Sequence, residues 1–267
     1  RHAERRRSVS VSSRRDSWDR DGFLVIREVL EPSAAAALAR EVEKLSSQVE
    51  LIPVALRGDG GNERDVNVLD AHRLIPELVA LVDNPISLPI IVEVMGPHLQ
   101  VGSIETMYRV AHPLDLMSLH TDGGPSLRNI SLKPGEFPLQ AKLQVFLTPV
   151  AGVGTGRFRC VPGSQQVPLT AERMQAAEAQ AVGIDVDAGD AILFPWSLWH
   201  GVEAKQTESA RISVIVRYVQ SWARQAFRLN APLASELNVM QRLLLEPQSA
   251  DPESGGEYFY KKFRIPV

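Results

Sequence analysis

The sequence predicts a mainly β protein with flanking helices, and three observations carry this. Beyond Leu99 the hydrophobic period changes from helical toward two. Turn residues then recur at short intervals, as in a sandwich or barrel of antiparallel strands. Lastly, two histidines eighty residues apart, His120 and His200, stand in contexts that ask them to meet, which a closed β body allows economically.

The elements follow in order. The basic start Arg1–Arg7 runs into Ser/Val residues and has no apolar h-region, so residues 1–17 read as a flexible arm and not as a secretory signal. Trp18 to Ile26 reads as a short segment ending in a buried strand, with Gly22 at the turn. A helix follows Glu31-Pro32-Ser33, with Leu38, Val42 and Leu45 forming its apolar stripe. Residues 57–62, rich in Gly and Asp, read as a mobile loop, and 75–82 and 86–95 as short helices, the second stopped by Gly96-Pro97. Strands are expected near 100–110, 117–120, 140–148, 157–161, 180–186, 191–194 and 211–219. A helix near 233–245, a polar loop over 246–257 and a closing segment at 258–260 complete the chain. With no internal repeat and no sharp linker, 1–267 reads as a single domain. Its parts are the arm, a helical front (18–98), a β core (99–222) and a C-terminal helix and tail (223–267).

Composition narrows the function classes. The 267 residues carry 29 basic and 32 acidic side chains, a formal charge of -3, so no global field recruits nucleic acid or an anionic membrane surface. No stretch approaches the roughly 18 apolar residues of a bilayer span. The lone Cys160 cannot form an internal disulfide, which suits a reducing, cytoplasmic setting. A small-molecule substrate is the expected partner; the oligomeric state is left open.

Chemistry concentrates in three places. His120-Thr121-Asp122 ends a predicted strand, where residues i and i+2 share a face and can converge on one ion, and Gly123-Gly124-Pro125 then opens a loop. Gly189-Asp190 makes a tight turn into an apolar strand, with His200-Gly201 just beyond it. Eleven residues after His200, Arg211-Ile212-Ser213 begins another strand. An arginine inside a strongly apolar strand is costly unless it meets an anion. Together these describe a facial triad of His120, Asp122 and His200, which leaves three adjacent positions of Fe(II) open. Arg211 is then placed to hold the distal carboxylate of 2-oxoglutarate, with Ser213 as a further donor.

This ordered set resembles the phytanoyl-CoA dioxygenase family of Fe(II)/2-oxoglutarate-dependent oxygenases. The resemblance runs from Asp21-Gly22-Phe23, through His120-Thr121-Asp122, the segment 139–147 and Val161-Pro162-Gly163-Ser164, to His200-Gly201 and Arg211. It implies a double-stranded β-helix, a cupin-like jelly-roll, with His120, Asp122 and His200 as iron ligands and Arg211 binding 2-oxoglutarate. It also implies use of O2, release of succinate and carbon dioxide, and oxidation of a C–H bond, hydroxylation being the default. Two departures stand out: Gln165 where the family often has His, and a longer stretch over 128–138, so the namesake's substrate does not transfer. The carboxylate of Asp122 fills the position that halogenating relatives leave small, which speaks for oxygenation.

Gln144 lies on a strand with an apolar back (Ala141, Leu143, Val145, Leu147) and a polar front (Lys142, Gln144), and is a candidate cosubstrate contact; a solvent-facing front is the equal alternative. Arg109 is expected in a surface pair with Glu105, a reach to substrate being the alternative; Trp196, Trp199 and Trp222 are expected in the core or at a pocket rim, and Cys160 as buried filler. Two other functions stay open: a metal-dependent cupin-like enzyme without 2-oxoglutarate, and a non-catalytic small-molecule binding jelly-roll. The Arg211–Ser213 pair argues against the first, and the intact ligand trio against the second.

Overall fold

A computed structural model describes residues 11–58, 64–223 and 236–245. Among the described residues eleven strands form two sheets: β1 (Leu24–Ile26), β2 (Arg57–Gly58), β3 (Val66–Val68), β4 (Leu99–Arg109), β5 (His112–His120), β6 (Gln140–Phe146), β7 (Phe158–Cys160), β8 (Val182–Ile184), β9 (Ala191–Pro195), β10 (His200–Lys205) and β11 (Arg211–Gln220). The larger sheet runs β1-β9-β6-β11-β4-β3-β2 and the smaller β5-β10-β7-β8. Counted among the eight strands from β4 onward, the larger sheet contains the sixth, third, eighth and first, and the smaller the second, seventh, fourth and fifth. That is the strand order of a jelly-roll. It follows from a chain that crosses between sheets at almost every turn.

The larger sheet is two-faced because β6 and β11 alternate. Ala141, Leu143 and Val145 of β6 and Ile212, Val214, Val216 and Tyr218 of β11 enter one hydrophobic cluster with Val42, Ile91 and Val92 of the helices α2 (Pro32–Ser46) and α3 (Leu88–Met95). Each such fully buried aliphatic side chain contributes about 1.5–3 kcal/mol. The Tyr218 hydroxyl donates to the Val82 carbonyl at 3.0 Å, tying the sheet to the helical front. The opposite face looks into the body, where Phe146, Ile192 and Phe194 pack on Phe158 and Cys160 of the smaller sheet. The polar front of β6 therefore faces the interior: Gln144 is buried and Lys142 half-buried.

Asp190 fastens β1 to this frame. Its carboxylate accepts from Arg27 Nη1 (2.6 Å) and from the backbone N–H of Glu28 and Asp187 (both 2.9 Å). Gly189 before it holds φ +94°, and a Cβ there would collide with the Leu30 carbonyl oxygen, so the turn admits only glycine.

Several elements differ from expectation. The arm expected over 1–17 is helical from Val11: helix α1 spans Val11–Asp21 and buries Trp18. β5 starts at His112, well before the expected 117, and β10 was not foreseen as a strand. The segment 75–82 is a 3-10 helix, Pro76–Leu81. Of the loop expected at 57–62, Arg57–Gly58 pairs as a strand and the rest lies outside the described residues. The C-terminal helix is described over Val239–Leu245 only, and the readings on 246–260 lie outside.

Candidate metal centre

The centre forms where β5 ends and β10 begins. These strands pair antiparallel with His200 directly opposite His120, so ladder register brings together two residues distant in sequence. Their ring centroids lie 4.3 Å apart. Gly201 permits this closeness: a Cβ there would sit 2.5 Å from the Met117 carbonyl oxygen. Asp122, two residues past His120, is fixed by its backbone N–H donating to the Trp196 carbonyl at 2.8 Å. One ligand atom from each of His120, Asp122 and His200 lies within 4.8 Å of the others.

The surroundings prepare these atoms for a cation. His120 Nδ1 meets the Ser118 carbonyl at 2.9 Å and His200 Nδ1 the Leu198 carbonyl at 2.8 Å. A carbonyl partner requires each Nδ1 to carry the proton, which leaves Nε2 as the lone-pair nitrogen. Phe158 stacks on His200 at 5.6 Å and Phe194 lies tilted at 4.6 Å. Burial among them pushes the His200 imidazole down to about 3, so it stays neutral. Its contact with Asp122 Oδ2 at 3.7 Å is accordingly no ion pair. Burial works to raise the Asp122 carboxyl, but the Lys142 ammonium, by its charge and its hydrogen bond, outweighs it and holds it below the usual carboxylate range. Among the described residues Asp122 Oδ2 is buried with no hydrogen-bond partner. Two imidazole nitrogens and an anionic oxygen lacking a donor are the donor set that suits a divalent iron.

A second cluster lies on the same interior face of the larger sheet. Arg211, Ser213 and Gln144 are all buried. Gln144 Nε2 donates to Ser213 Oγ at 2.9 Å, and Arg211 Nη1 reaches the same oxygen at 3.5 Å. Arg211 Nε donates to the Gly156 carbonyl at 2.7 Å, and its guanidinium lies 5.2 Å over the Phe146 ring. Nη2 is buried and has no partner, and among the described residues no carboxylate lies within ion-pair distance of the guanidinium. Burial, helped by Arg109, lowers its pKa to about 9 against the pull of Asp65, so it remains a cation at neutral pH. A buried cation with an open N–H edge fits the carboxylate of a keto acid.

The structure places the six residues singled out from the sequence in two groups, His120, Asp122 and His200 in one and Arg211, Ser213 and Gln144 in the other. It revises several neighbours. Arg109 is buried beside Asp65 (3.7 Å) instead of pairing at the surface with Glu105, which accepts from Ser103 Oγ. Trp196 and Trp199 are buried and Trp222 is 72% exposed. Burial pushes the Cys160 thiol up to about 12, as expected for an inert filler. Sequence reasoning missed the bond from Lys142 Nζ to Asp122 Oδ1 (2.7 Å); its only trace was Lys142 sharing a strand face with Gln144. Gln165, the departure from the family's His, has a structural role: its Nε2 donates to the Asp19 carbonyl of α1.

Comparison with known proteins agrees with this construction. The phytanoyl-CoA dioxygenase (PhyH) family model matches residues 18–213. Among solved structures, EctD from S. alaskensis with 2-oxoglutarate and 5-hydroxyectoine is similar at 16% identity and a TM-score of 0.64, over 80% of this chain and 77% of that one. HygX from Streptomyces hygroscopicus with nickel and 2-oxoglutarate matches at 22% identity and a TM-score of 0.63, over 81% and 90%. The non-heme α-ketoglutarate-dependent epimerase SnoN from nogalamycin biosynthesis matches at 19% and 0.59, over 79% and 83%. The chain belongs to the phytanoyl-CoA dioxygenase family and is, in kind, an iron- and 2-oxoglutarate-dependent oxygenase.

Proposed function

We propose that this enzyme hydroxylates a C–H bond of a small molecule in a single-domain, cytoplasmic protein, converting 2-oxoglutarate to succinate and carbon dioxide. The observation that carries the reading is the open Nη2 edge of Arg211, buried on the same interior face that leads to the His120–Asp122–His200 trio. Iron and 2-oxoglutarate, when bound, supply the oxidative decarboxylation and the oxidising power for C–H attack.

The chain's own residues do the rest. His120 and His200 offer Nε2, held by the carbonyls of Ser118 and Leu198, and Asp122 offers Oδ2. Arg211 would hold the distal carboxylate of the keto acid, with Ser213 and Gln144 completing the polar cradle. Phe158, Phe194 and Phe146 keep water from these groups and so strengthen each charge interaction. A small-molecule substrate is supported by the solved structures holding 5-hydroxyectoine and hygromycin B.

Anaerobic addition of Fe(II) and then 2-oxoglutarate should give a visible metal-to-ligand charge-transfer band, and admission of air should release succinate. Failure of both would overturn the reading in favour of a binding module; metal binding without the band would favour a cupin-like enzyme that does not use 2-oxoglutarate.

A further inference from the structure

Asp122 has two carboxylate oxygens in different situations. Oδ2 lies among the ligand atoms with no donor, whereas Oδ1 accepts a 2.7 Å charge-assisted hydrogen bond from Lys142 Nζ. Lys142 comes from β6, and among the described residues its ammonium has no other hydrogen-bond partner. Its cross-strand neighbour Arg217 is engaged elsewhere, donating to Ser103 Oγ, Gln140 Oε1 and the Gly102 carbonyl. One cation is thus committed to one oxygen of one metal ligand, and the Asp122 backbone is pinned separately to Trp196.

This division has a consequence for coordination. Carboxylates bind divalent metals through one oxygen or both. Two imidazoles and one carboxylate oxygen occupy three of six positions; a chelating keto acid takes two and a single position stays open. Were both Asp122 oxygens to bind, that last position would be lost. We propose that Lys142 fixes Asp122 as a one-oxygen ligand, by occupying Oδ1, and so preserves the open coordination position. Lys142 is then a positioning residue, acting on the metal through Asp122. The inference rests on the metal site proposed above.

Mn(II)-loaded protein in 17O-enriched water tests it, because the broadening of the Mn(II) resonance counts bound waters without any turnover. The parent protein should hold three waters. Lys142→Met and Lys142→Gln, which release Oδ1, should hold two, bind Mn(II) more tightly by about tenfold through loss of the adjacent cation, and bind 2-oxoglutarate more weakly; Lys142→Arg should keep three. Two waters in the parent, or three in a folded neutral variant, would overturn the proposal while leaving the metal site standing. Loss of Mn(II) binding in both neutral variants would also overturn it, marking Lys142 as a mere support for Asp122. No Mn(II) binding by the parent would instead remove the metal site itself.

Discussion

Burying a guanidinium costs several kcal/mol unless an anion meets it, and at Arg211 the described residues supply a carbonyl, a hydroxyl and an aromatic face but no carboxylate. On the proposed function, the anion that meets it is the keto acid. Arg211→Met should therefore weaken 2-oxoglutarate binding by about two to three orders of magnitude and leave Mn(II) affinity unchanged, as read by calorimetry; equal weakening of both would refute the division into two groups. Asp70 presents the opposite imbalance. Burial raises its carboxyl to about 6, Arg73 opposing and Glu105 adding, and it sits in the left-handed region at φ 48°. A folded pKa above the unfolded 3.8 means that the unfolded chain loses this proton first, so stability falls as pH rises from about 4 to 6 and stays lowered above. Asn tolerates the same backbone without the charge. Discounted for partial exposure, the gain from Asp70→Asn is about 1 kcal/mol, or about 2–4 °C in melting temperature at pH 7–8. It should vanish below pH 4, and a pH-independent gain would point to another cause.

Among the elements, α1 is the one whose role differs most from a flexible arm. Asp19 on this helix accepts from the Gly135 N–H at 3.1 Å and pairs with Arg15, while its carbonyl receives both Gln165 Nε2 and Gln166 Nε2 at 3.0 Å. Arg15 also donates to the Glu136 carbonyl and lies 5.7 Å over Phe137. The helix thus latches the stretch that follows the metal ligands. Asp19→Ala should speed amide exchange at Gly135 and proteolysis within 128–138 without altering Mn(II) affinity; unchanged exchange would show that the latch does not depend on this carboxylate. The helix escaped sequence reading because Val11–Asp21 is polar on nearly every side and only Trp18 among its described side chains is deeply buried. β10 escaped for another reason. Its six residues, His200–Lys205, show no alternation in burial and hold Val202 as their one large apolar side chain, so no period of two marks a strand. By contrast β6 and β11 were legible almost to the residue, since each has one wholly apolar face, Ala141, Leu143 and Val145 in β6 and Ile212, Val214, Val216 and Tyr218 in β11.

At the level of the whole molecule, a metal held by His120, Asp122 and His200 would staple the ladder that joins β5 to β10. A cation bound by the folded state alone must stabilise the whole. Mn(II) at about one hundred times its dissociation constant should raise the melting temperature by about 5–10 °C, and His200→Ala should abolish the rise; a rise that persists would locate the metal elsewhere. Among the described residues no helix is long and apolar enough to cross a membrane, in keeping with the composition.

The sequence by itself determined the ligand types, their order along the chain, the alternation of the core strands and the glycines that the tight approaches demand. Those are local properties, written in covalent order and period. Tertiary structure alone decided that the polar face of β6 turns inward, that Lys142 takes one oxygen of Asp122, that Arg211 is left without an anion, and that α1 closes over the 128–138 stretch. Each of these depends on which side chains lie opposite one another across strands and helices twenty to more than a hundred residues apart. Ladder register and packing fix such pairings, and no local period encodes them.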